Sequence, residues 1–147
     1  MILPNERGTA LSLVWRVFSE FEAPGCPSQG VTVFKEYITN SQETDNLNFS
    51  GAYIRGMLVG VIAVNNAGNH ISLLFVEKNY QKRGIGTALL NHILKQSNSE
   101  RITVNASTHA KCFYRKAGFV AASDTCQICG IRFIPMYYLR EKWQFTD

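Results

Sequence analysis

Residues 81–86, Gln-Lys-Arg-Gly-Ile-Gly, have the composition of a loop that holds an anion. They lie between a predicted buried strand and a predicted helix start, where the first N–H groups lack intrahelical partners and the helix dipole adds roughly half a positive charge. Gly84 and Gly86 let the backbone approach phosphate oxygens closely, and Lys82 and Arg83 add positive charge. This spacing therefore predicts a phosphate-binding loop.

Two common nucleotide-binding loops do not match this spacing. A nucleoside-triphosphate P-loop requires four residues between its glycines and then Gly-Lys followed by Ser or Thr, whereas Gly86 is followed by Thr87. A dinucleotide loop requires a small residue where Leu89 stands, and an acidic residue about 20 positions later, where Ala106 and Ser107 lie. The predicted phosphate therefore belongs to another class of ligand.

The loop resembles the Gln/Arg-x-x-Gly-x-Gly/Ala signature of the GNAT superfamily of acetyl-CoA-dependent N-acetyltransferases. Later residues extend the resemblance. Asn105 ends a predicted strand, and residues 112–119, Cys-Phe-Tyr-Arg-Lys-Ala-Gly-Phe, are similar to the family's Phe-Tyr-x-Lys-x-Gly-Phe motif. Residues 130–136 are similar to a closing strand of some bacterial members. The resemblance covers roughly residues 50–140.

The resemblance to this family implies a fold and a set of cofactor contacts. We expect an α/β fold with a mixed, mostly antiparallel central sheet, about four flanking helices, and a parallel strand pair at the cofactor site. The loop would hold the pyrophosphate of acetyl-CoA, the preceding strand would pair with its pantetheine arm, and a backbone N–H near Phe75 or Val76 would face the thioester carbonyl. The candidate cofactor-binding residues are Leu74, Phe75, Val76, Gln81, Lys82, Arg83, Gly84, Ile85, Gly86, Thr87 and Asn105.

The resemblance also implies Tyr114 as the general acid, because the family often places a tyrosine beside the cofactor sulfur. Acyl transfer to an amine requires a neutral amine, a stabilised oxyanion and a proton for the leaving thiolate. A phenol of pKa near 10 protonates a thiolate of pKa near 8.5 only weakly, and packing in the core is the alternative role for Tyr114. Asn105 would hydrogen-bond the pantetheine arm or the following helix, or simply cap its strand.

The general base and the acceptor are not identified by the sequence. The candidate bases are Glu20, Glu22, His70, Glu77 and His109. In this family the first two helices and their linker select the substrate, and we hypothesise that Glu20 and Glu22 attract a cationic amine such as a polyamine or an aminoglycoside. The acceptor is expected to be a small-molecule or peptide amine.

Hydrophobic periodicity predicts the elements that position these residues. Helices are predicted at residues 9–22, 29–39, 84–97 and 108–117, the last one ending at Gly118. Strands are predicted at 52–55, 58–64, 70–76, 102–105, 119–122 and 131–139, and a polar loop at 40–48. The strand–helix–strand unit over residues 70–105 implies a parallel pair, with a ligand at the carboxyl ends of its strands.

Length and composition predict a single domain over residues 1–147. Polar residues interrupt every apolar run before 18 residues, and the N-terminus lacks the apolar stretch of a secretory signal, so we expect a cytoplasmic protein. The net charge of +4 is not gathered into a dense patch, so no nucleic-acid or membrane partner is expected. The family often dimerises, which makes a homodimer a candidate assembly.

The cysteines predict neither a disulfide scaffold nor a metal site. Four cysteines are few for a scaffold, and Cys126 and Cys129 form a lone Cys-x-x-Cys without the second pair that zinc normally requires. We therefore expect structural thiols and no metal, with redox or metal use of the pair as the alternative.

Three rival functions are compatible with parts of the sequence. A non-catalytic acyl-CoA-binding module would keep the loop but would not need Tyr114. A nucleic-acid-binding protein rests on the positive net charge alone, without interleaved stacking aromatics. A cysteine-dependent enzyme would use Cys112 with His109, three residues apart on one helix, but nothing supplies a third orienting group.

Overall fold

The computed structural model describes residues 6–128 and 131–140, which form five α-helices and a seven-stranded sheet. The helices are α1 (Arg7–Val17), α2 (Ser28–Thr39), α3 (Ser41–Thr44), α4 (Ile85–Gln96) and α5 (Lys111–Lys116). The strands are β1 (Leu47–Ile54), β2 (Met57–Asn65), β3 (His70–Val76), β4 (Arg101–Ala106), β5 (Val120–Ala121), β6 (Cys126–Ile128) and β7 (Ile131–Leu139).

The sheet is mixed and mostly antiparallel. Its strand order is β1-β2-β3-β4-β7-β5, with β6 paired to β7 beside this path. Neighbouring strands run antiparallel except β3 and β4, which are parallel because α4 carries the chain between them. This confirms the predicted α/β class, the mostly antiparallel sheet and the parallel pair.

Helices cover both faces of the sheet, and each face has its own apolar core. On one face, α1 and α2 pack against β1, β2 and β3 through buried side chains that recur at helical spacing in α1: Ala10, Leu13, Val14 and Val17. On the other face, α4 and α5 pack over the centre of the sheet and its far strands. The buried residues that these two helices contribute are Leu89, Leu90, Ile93 and Tyr114.

A glycine in β2 sets how closely α4 approaches the sheet. A Cβ at Gly60 would lie 3.0 Å from Ile85 Cγ2 and 3.1 Å from Leu89 Cδ1, which is tighter than most real Cβ contacts. Because Gly60 has no side chain, the first turn of α4 rests directly on β2. The residues just before α4 are thereby held next to the end of β3.

The first helix differs from its prediction over its last third. The α-helix ends at Val17, a π-helical turn (Phe18–Glu22) completes the predicted range, and a 3₁₀ turn (Ala23–Gly25) follows it. In the π turn, Phe18 stacks on Phe34 of α2 with ring centroids 3.9 Å apart. The apolar periodicity predicted the helical segment but not the change in its winding.

The predicted loop at residues 40–48 is wrong at both ends. Asn40 Oδ1 accepts hydrogen bonds from the backbone N–H groups of Gln42 (3.0 Å) and Glu43 (3.4 Å), which starts the short helix α3. Leu47 and Phe49 point into the core while Asn48 is exposed, so β1 begins five residues before the predicted strand. A side-chain cap and two buried residues therefore order this polar stretch.

Near the other end of the chain, the predicted helix at 108–117 is shorter and β6 was not predicted. Residues 107–110 form a turn instead, in which the Ala110 N–H donates to the Ser107 carbonyl at 3.0 Å, and α5 begins at Lys111. The predicted end of the helix at Gly118 is confirmed by its φ of +105°.

The thiols of Cys26, Cys112 and Cys126 are free, whereas Cys129 lies outside the described residues. The role predicted for the Cys126–Cys129 pair therefore stays a prediction. Within residues 6–128 and 131–140, no helix has the length and apolarity needed to cross a membrane.

Candidate functional site

The parallel strands β3 and β4 separate after two residue pairs. His70 pairs with Thr103 and Ile71 with Val104, and the pairing ends there. On its other edge, β3 stays paired with β2 as far as Val76. The last residues of β3 therefore have a neighbouring strand on one side only, and their outer backbone groups face the opening between β3 and β4.

A β-bulge marks the position where the two strands separate. Ala63 of β2 pairs with Leu73 and Val64 pairs with Ile71, so Ser72 is an extra residue in β3. Bulges bend a strand and increase its local twist. This bulge accounts for the divergence of β3 from β4 directly after Ile71.

The register shows which N–H groups of β3 face the opening. The Glu77 N–H donates to the Val59 carbonyl at 2.8 Å. Hydrogen-bonded residues alternate along an antiparallel pair, so the N–H of Phe75 also points to β2, whereas those of Leu74 and Val76 point outward. Of the two positions expected for a backbone donor, Val76 is at the open edge and Phe75 is not.

The Gln-Lys-Arg-Gly-Ile-Gly loop connects this open edge to the start of α4. Gln81 is tied to the strand, because its Nε2 donates to the Val76 carbonyl at 2.9 Å. Lys82 and Gly84 adopt positive φ angles, +62° and +81°, which turn the chain into the helix. The two turning residues thus point the first N–H groups of α4 back toward the end of β3.

The N-terminus of α4 has no side-chain cap. Gly84 occupies the cap position and its carbonyl accepts the first helical hydrogen bond, from Ala88 at 2.9 Å. The N–H groups of Ile85, Gly86 and Thr87 therefore have no intrahelical acceptor and are available to an anion. The side chains of Lys82 and Arg83 are exposed beside them, and the Arg83 guanidinium lies 5.4 Å from the centre of the Tyr80 ring.

Helix α5 brings Tyr114 to the same end of the sheet. A Cβ on Gly86 would lie 3.4 Å from ring carbons of Phe113, so α5 packs beside the first turn of α4. Tyr114 is 4% exposed, and its ring meets those of Phe113 and Phe119 edge-on at 5.1 and 5.3 Å. Burial raises the pKa of Tyr114 above its usual value.

Asn105 lies on the opposite face of β4 from Tyr114. Ile102, Val104 and Ala106 point into the core that contains Tyr114, so Asn105 points to the other face, where it is exposed. The turn before α5 is held by Ser107, whose Oγ accepts from the Ala110 N–H at 3.2 Å. The edge of β4 at Asn105 faces the opening, but the sheet separates the Asn105 side chain from the Tyr114 hydroxyl.

Two of the candidate bases form ion pairs. Glu20 lies 3.3 Å from Lys78, and Glu77 is paired with Arg16. These pairs join the end of α1 and the π turn to the segment that follows β3. Each carboxylate therefore has a cation beside it.

The two histidine candidates differ in their surroundings. His70 Nδ1 lies 2.7 Å from Thr103 Oγ1 at the closed end of the β3–β4 pair, and burial lowers the pKa of His70. His109 is exposed in the turn before α5. In the described part of the chain, no three His, Cys, Asp or Glu side chains gather closely enough to hold a metal ion.

Comparison with known proteins identifies the family. A model of the acetyltransferase (GNAT) domain matches residues 22–140. The uncharacterized N-acetyltransferase YafP of Escherichia coli (strain K12) is 36% identical over 93 residues, which cover 63% of this chain and 59% of that protein. The chain thus spans less than two thirds of the length of this curated relative.

Solved structures share the fold at low sequence identity. A GCN5-related N-acetyltransferase from Rhodopseudomonas palustris matches with a TM-score of 0.81 at 21% identity, covering 95% of this chain and 92% of that one. The PaiA N-acetyltransferase of Thermoplasma acidophilum, in complex with coenzyme A, matches with a TM-score of 0.69 at 20% identity, covering 92% and 94%. Since the family model matches most of the sequence, the chain belongs to the GNAT acetyltransferase family.

Proposed function

We propose that this protein transfers an acetyl group from acetyl-CoA to a primary amine of a small molecule or peptide. One observation carries the proposal: the open edge of β3 leads through Gln81 directly to the uncapped N-terminus of α4. An extended, amide-bearing chain can hydrogen-bond to the open edge, and phosphates can bind at the helix start. Few ligands combine both features, and acetyl-CoA is one of them.

The groups present suit this cofactor in charge and in hydrogen bonding. The N–H groups of residues 85–87, together with Lys82 and Arg83, would hold the pyrophosphate. The outward N–H groups of Leu74 and Val76 would bind the pantetheine amides and the thioester oxygen. When bound, acetyl-CoA supplies a thioester whose C–S bond breaks as the amine nitrogen bonds to the acetyl carbon.

Tyr114 would supply the hydrogen bond that the leaving sulfur requires. Its raised pKa keeps the phenol protonated at neutral pH, so the hydroxyl can act as a donor. The same shift makes complete transfer of the proton to a thiolate less favourable than for an ordinary tyrosine. We therefore assign to Tyr114 the role of stabilising the thiolate by a hydrogen bond. The proton that converts the thiolate into the free thiol comes from Tyr114 or from solvent.

The acceptor must lose a proton to attack, and the ion-paired Glu20 and Glu77 are poorly placed to take it. An α-amine of pKa near 7.7–8.0 is already partly neutral at pH 7.5, so it needs little help. The surroundings of the amine therefore matter more than a dedicated base. A cytoplasmic location, a homodimer and a single domain over residues 1–147 stay predictions from the sequence.

Calorimetric titration with acetyl-CoA tests the binding half of the proposal. We expect micromolar binding by the native protein and loss of binding in Gly84→Glu, which places a carboxylate at the helix N-terminus and a side chain at positive φ. Tyr53→Ala, on the exposed edge strand β1, serves as a control that should bind normally. A folded native protein that does not bind acetyl-CoA would overturn the proposal.

Thiol release with a panel of primary amines tests the catalytic half. Tyr114→Phe removes the hydroxyl and keeps the ring in place, so we expect native acetyl-CoA affinity and a kcat lower by about 10²-fold, within the range for general acid catalysis. Acetyl-CoA binding without transfer to any amine would instead favour a non-catalytic acyl-CoA-binding module.

A further inference from the structure

Aromatic side chains form a wall beside the open segment of β3. On the sheet face covered by α1 and α2, Phe18 stacks on Phe34 at 3.9 Å, and Phe34 meets Phe75 at 6.0 Å with an interplanar angle of 58°. Phe34 and Phe75 are half-buried, whereas Phe18 is buried behind them. Tyr37 lies one turn after Phe34 on α2. We call Phe34, Tyr37 and Phe75 together the aromatic wall.

This wall adjoins the proposed position of the thioester. Phe75 stands between Leu74 and Val76, whose N–H groups point into the opening. Tyr37 is hydrogen-bonded to the side chain of Ser72, the extra residue of the bulge. The wall therefore runs along β3 from the position where the strands separate to the position of the backbone donors.

The aromatic wall carries little negative charge that could attract a cationic substrate. The Tyr37 hydroxyl already has Ser72 as a partner, and burial raises the pKa of Tyr37, so the phenol stays neutral at physiological pH. Glu43 acts on Tyr37 electrostatically from α3, but its side chain is exposed to solvent, which screens it.

The carboxylates at the other end of the wall are already neutralised. Lys78 lies 3.3 Å from Glu20, and Arg16 is paired with Glu77, so the four side chains sum to no net charge. A polyamine or an aminoglycoside would have to displace these cations to pair with Glu20 or Glu77. Of the two carboxylates hypothesised to attract a cationic amine, Glu20 and Glu22, Glu20 is therefore less available than the sequence alone indicates.

We infer that the acceptor is a primary amine attached to an aromatic or similarly bulky apolar group, which packs against Phe34 and Phe75 while its nitrogen faces the thioester. The inference rests on the proposed acetyl transfer. Tilted aromatic rings favour edge-to-face contact with a further ring. An apolar surface also disfavours the ammonium form, which lowers the pKa of the bound amine and supplies the neutral nucleophile.

The test compares kcat/KM at saturating acetyl-CoA for three amines: 2-phenylethylamine, n-propylamine and spermidine. We expect 2-phenylethylamine to exceed n-propylamine by about tenfold or more, the usual scale for one added apolar group, and spermidine to be the poorest. Phe34→Leu keeps the apolar volume but removes the ring, and it should reduce the advantage of 2-phenylethylamine, mainly through KM. Tyr53→Ala removes an exposed aromatic ring on β1 and should leave the ratio unchanged.

Acetyl-CoA titration of every variant separates the two levels of the proposal. Normal acetyl-CoA binding with a preference for spermidine, or with an unchanged amine ratio in Phe34→Leu, would overturn the aromatic acceptor and leave acetyl transfer standing. Loss of acetyl-CoA binding by the native protein would overturn both.

Discussion

Gly84 and Gly86 should respond in opposite ways to the same substitution by alanine. Gly84 has a φ of +81°, and a Cβ there would have no heavy atom within 4 Å, so the cost of Gly84→Ala is purely conformational. A left-handed non-glycine residue costs about 1–2 kcal/mol, which should appear as an equal loss in the free energy of unfolding. Gly84→Asn should lose less, because asparagine tolerates this region better.

Gly86 lies inside the first turn of α4, where alanine is the better helix former by about 0.5–1 kcal/mol. Its Cβ would lie 3.4 Å from the Phe113 ring and 3.9 Å from Val76 Cγ2, which are ordinary contacts. Gly86→Ala should therefore be as stable as the native protein or slightly more stable. The new methyl group enters the space between β3 and α5, so acetyl-CoA should bind about 10-fold to 100-fold more weakly, as expected when one or two close backbone contacts are lost.

Urea unfolding at pH 7.5 measures the stability of these variants, and calorimetry with acetyl-CoA measures their affinity. The expected pattern is lower stability for Gly84→Ala, recovery in Gly84→Asn, and a stable but weakly binding Gly86→Ala. The reasoning is refuted if Gly84→Ala unfolds like the native protein. It is equally refuted if Gly86→Ala binds acetyl-CoA with native affinity.

Two further predictions concern stability. Burial lowers the pKa of His70 in the folded state, so on acidification the unfolded chain binds a proton at this residue before the folded chain does. The free energy of unfolding should therefore fall as the pH drops below about 6.5, by at most about 1.4 kcal/mol per pH unit. In urea titrations His70→Gln should lose this pH dependence, whereas the control His92→Gln, on the exposed face of α4, should keep it. The Arg140 guanidinium donates hydrogen bonds to the carbonyls of Leu94 (2.8 Å), Ser97 (2.7 Å) and Ser99 (3.2 Å) at the end of α4. Arg140→Gln should therefore lower the free energy of unfolding by about 1.5–3 kcal/mol, and Arg140→Lys should recover part of that loss. An unchanged urea midpoint in Arg140→Gln would show that these hydrogen bonds do not contribute to stability.

Much of the fold could be predicted from local patterns. Turn residues such as Gly56 and Gly118 mark chain reversals because they adopt positive φ, and the structure has both. The bounds of β3 and β7 agree with the alternating and apolar runs that predicted them. Errors are concentrated in short polar segments such as residues 40–48, where one side-chain cap decides between helix and loop.

The sequence by itself determined the family and predicted the phosphate-binding loop, because both depend on residues that are adjacent in the chain: two glycines, two basic residues and a helix start. Only the tertiary structure decided the rest. The extra residue at Ser72, the separation of β3 from β4 and the outward N–H of Val76 follow from pairing with β2 and β4. The burial of Tyr114 and the ion pair between Glu20 and Lys78 likewise depend on residues that are far apart in the chain. No local pattern encodes which distant side chains will meet.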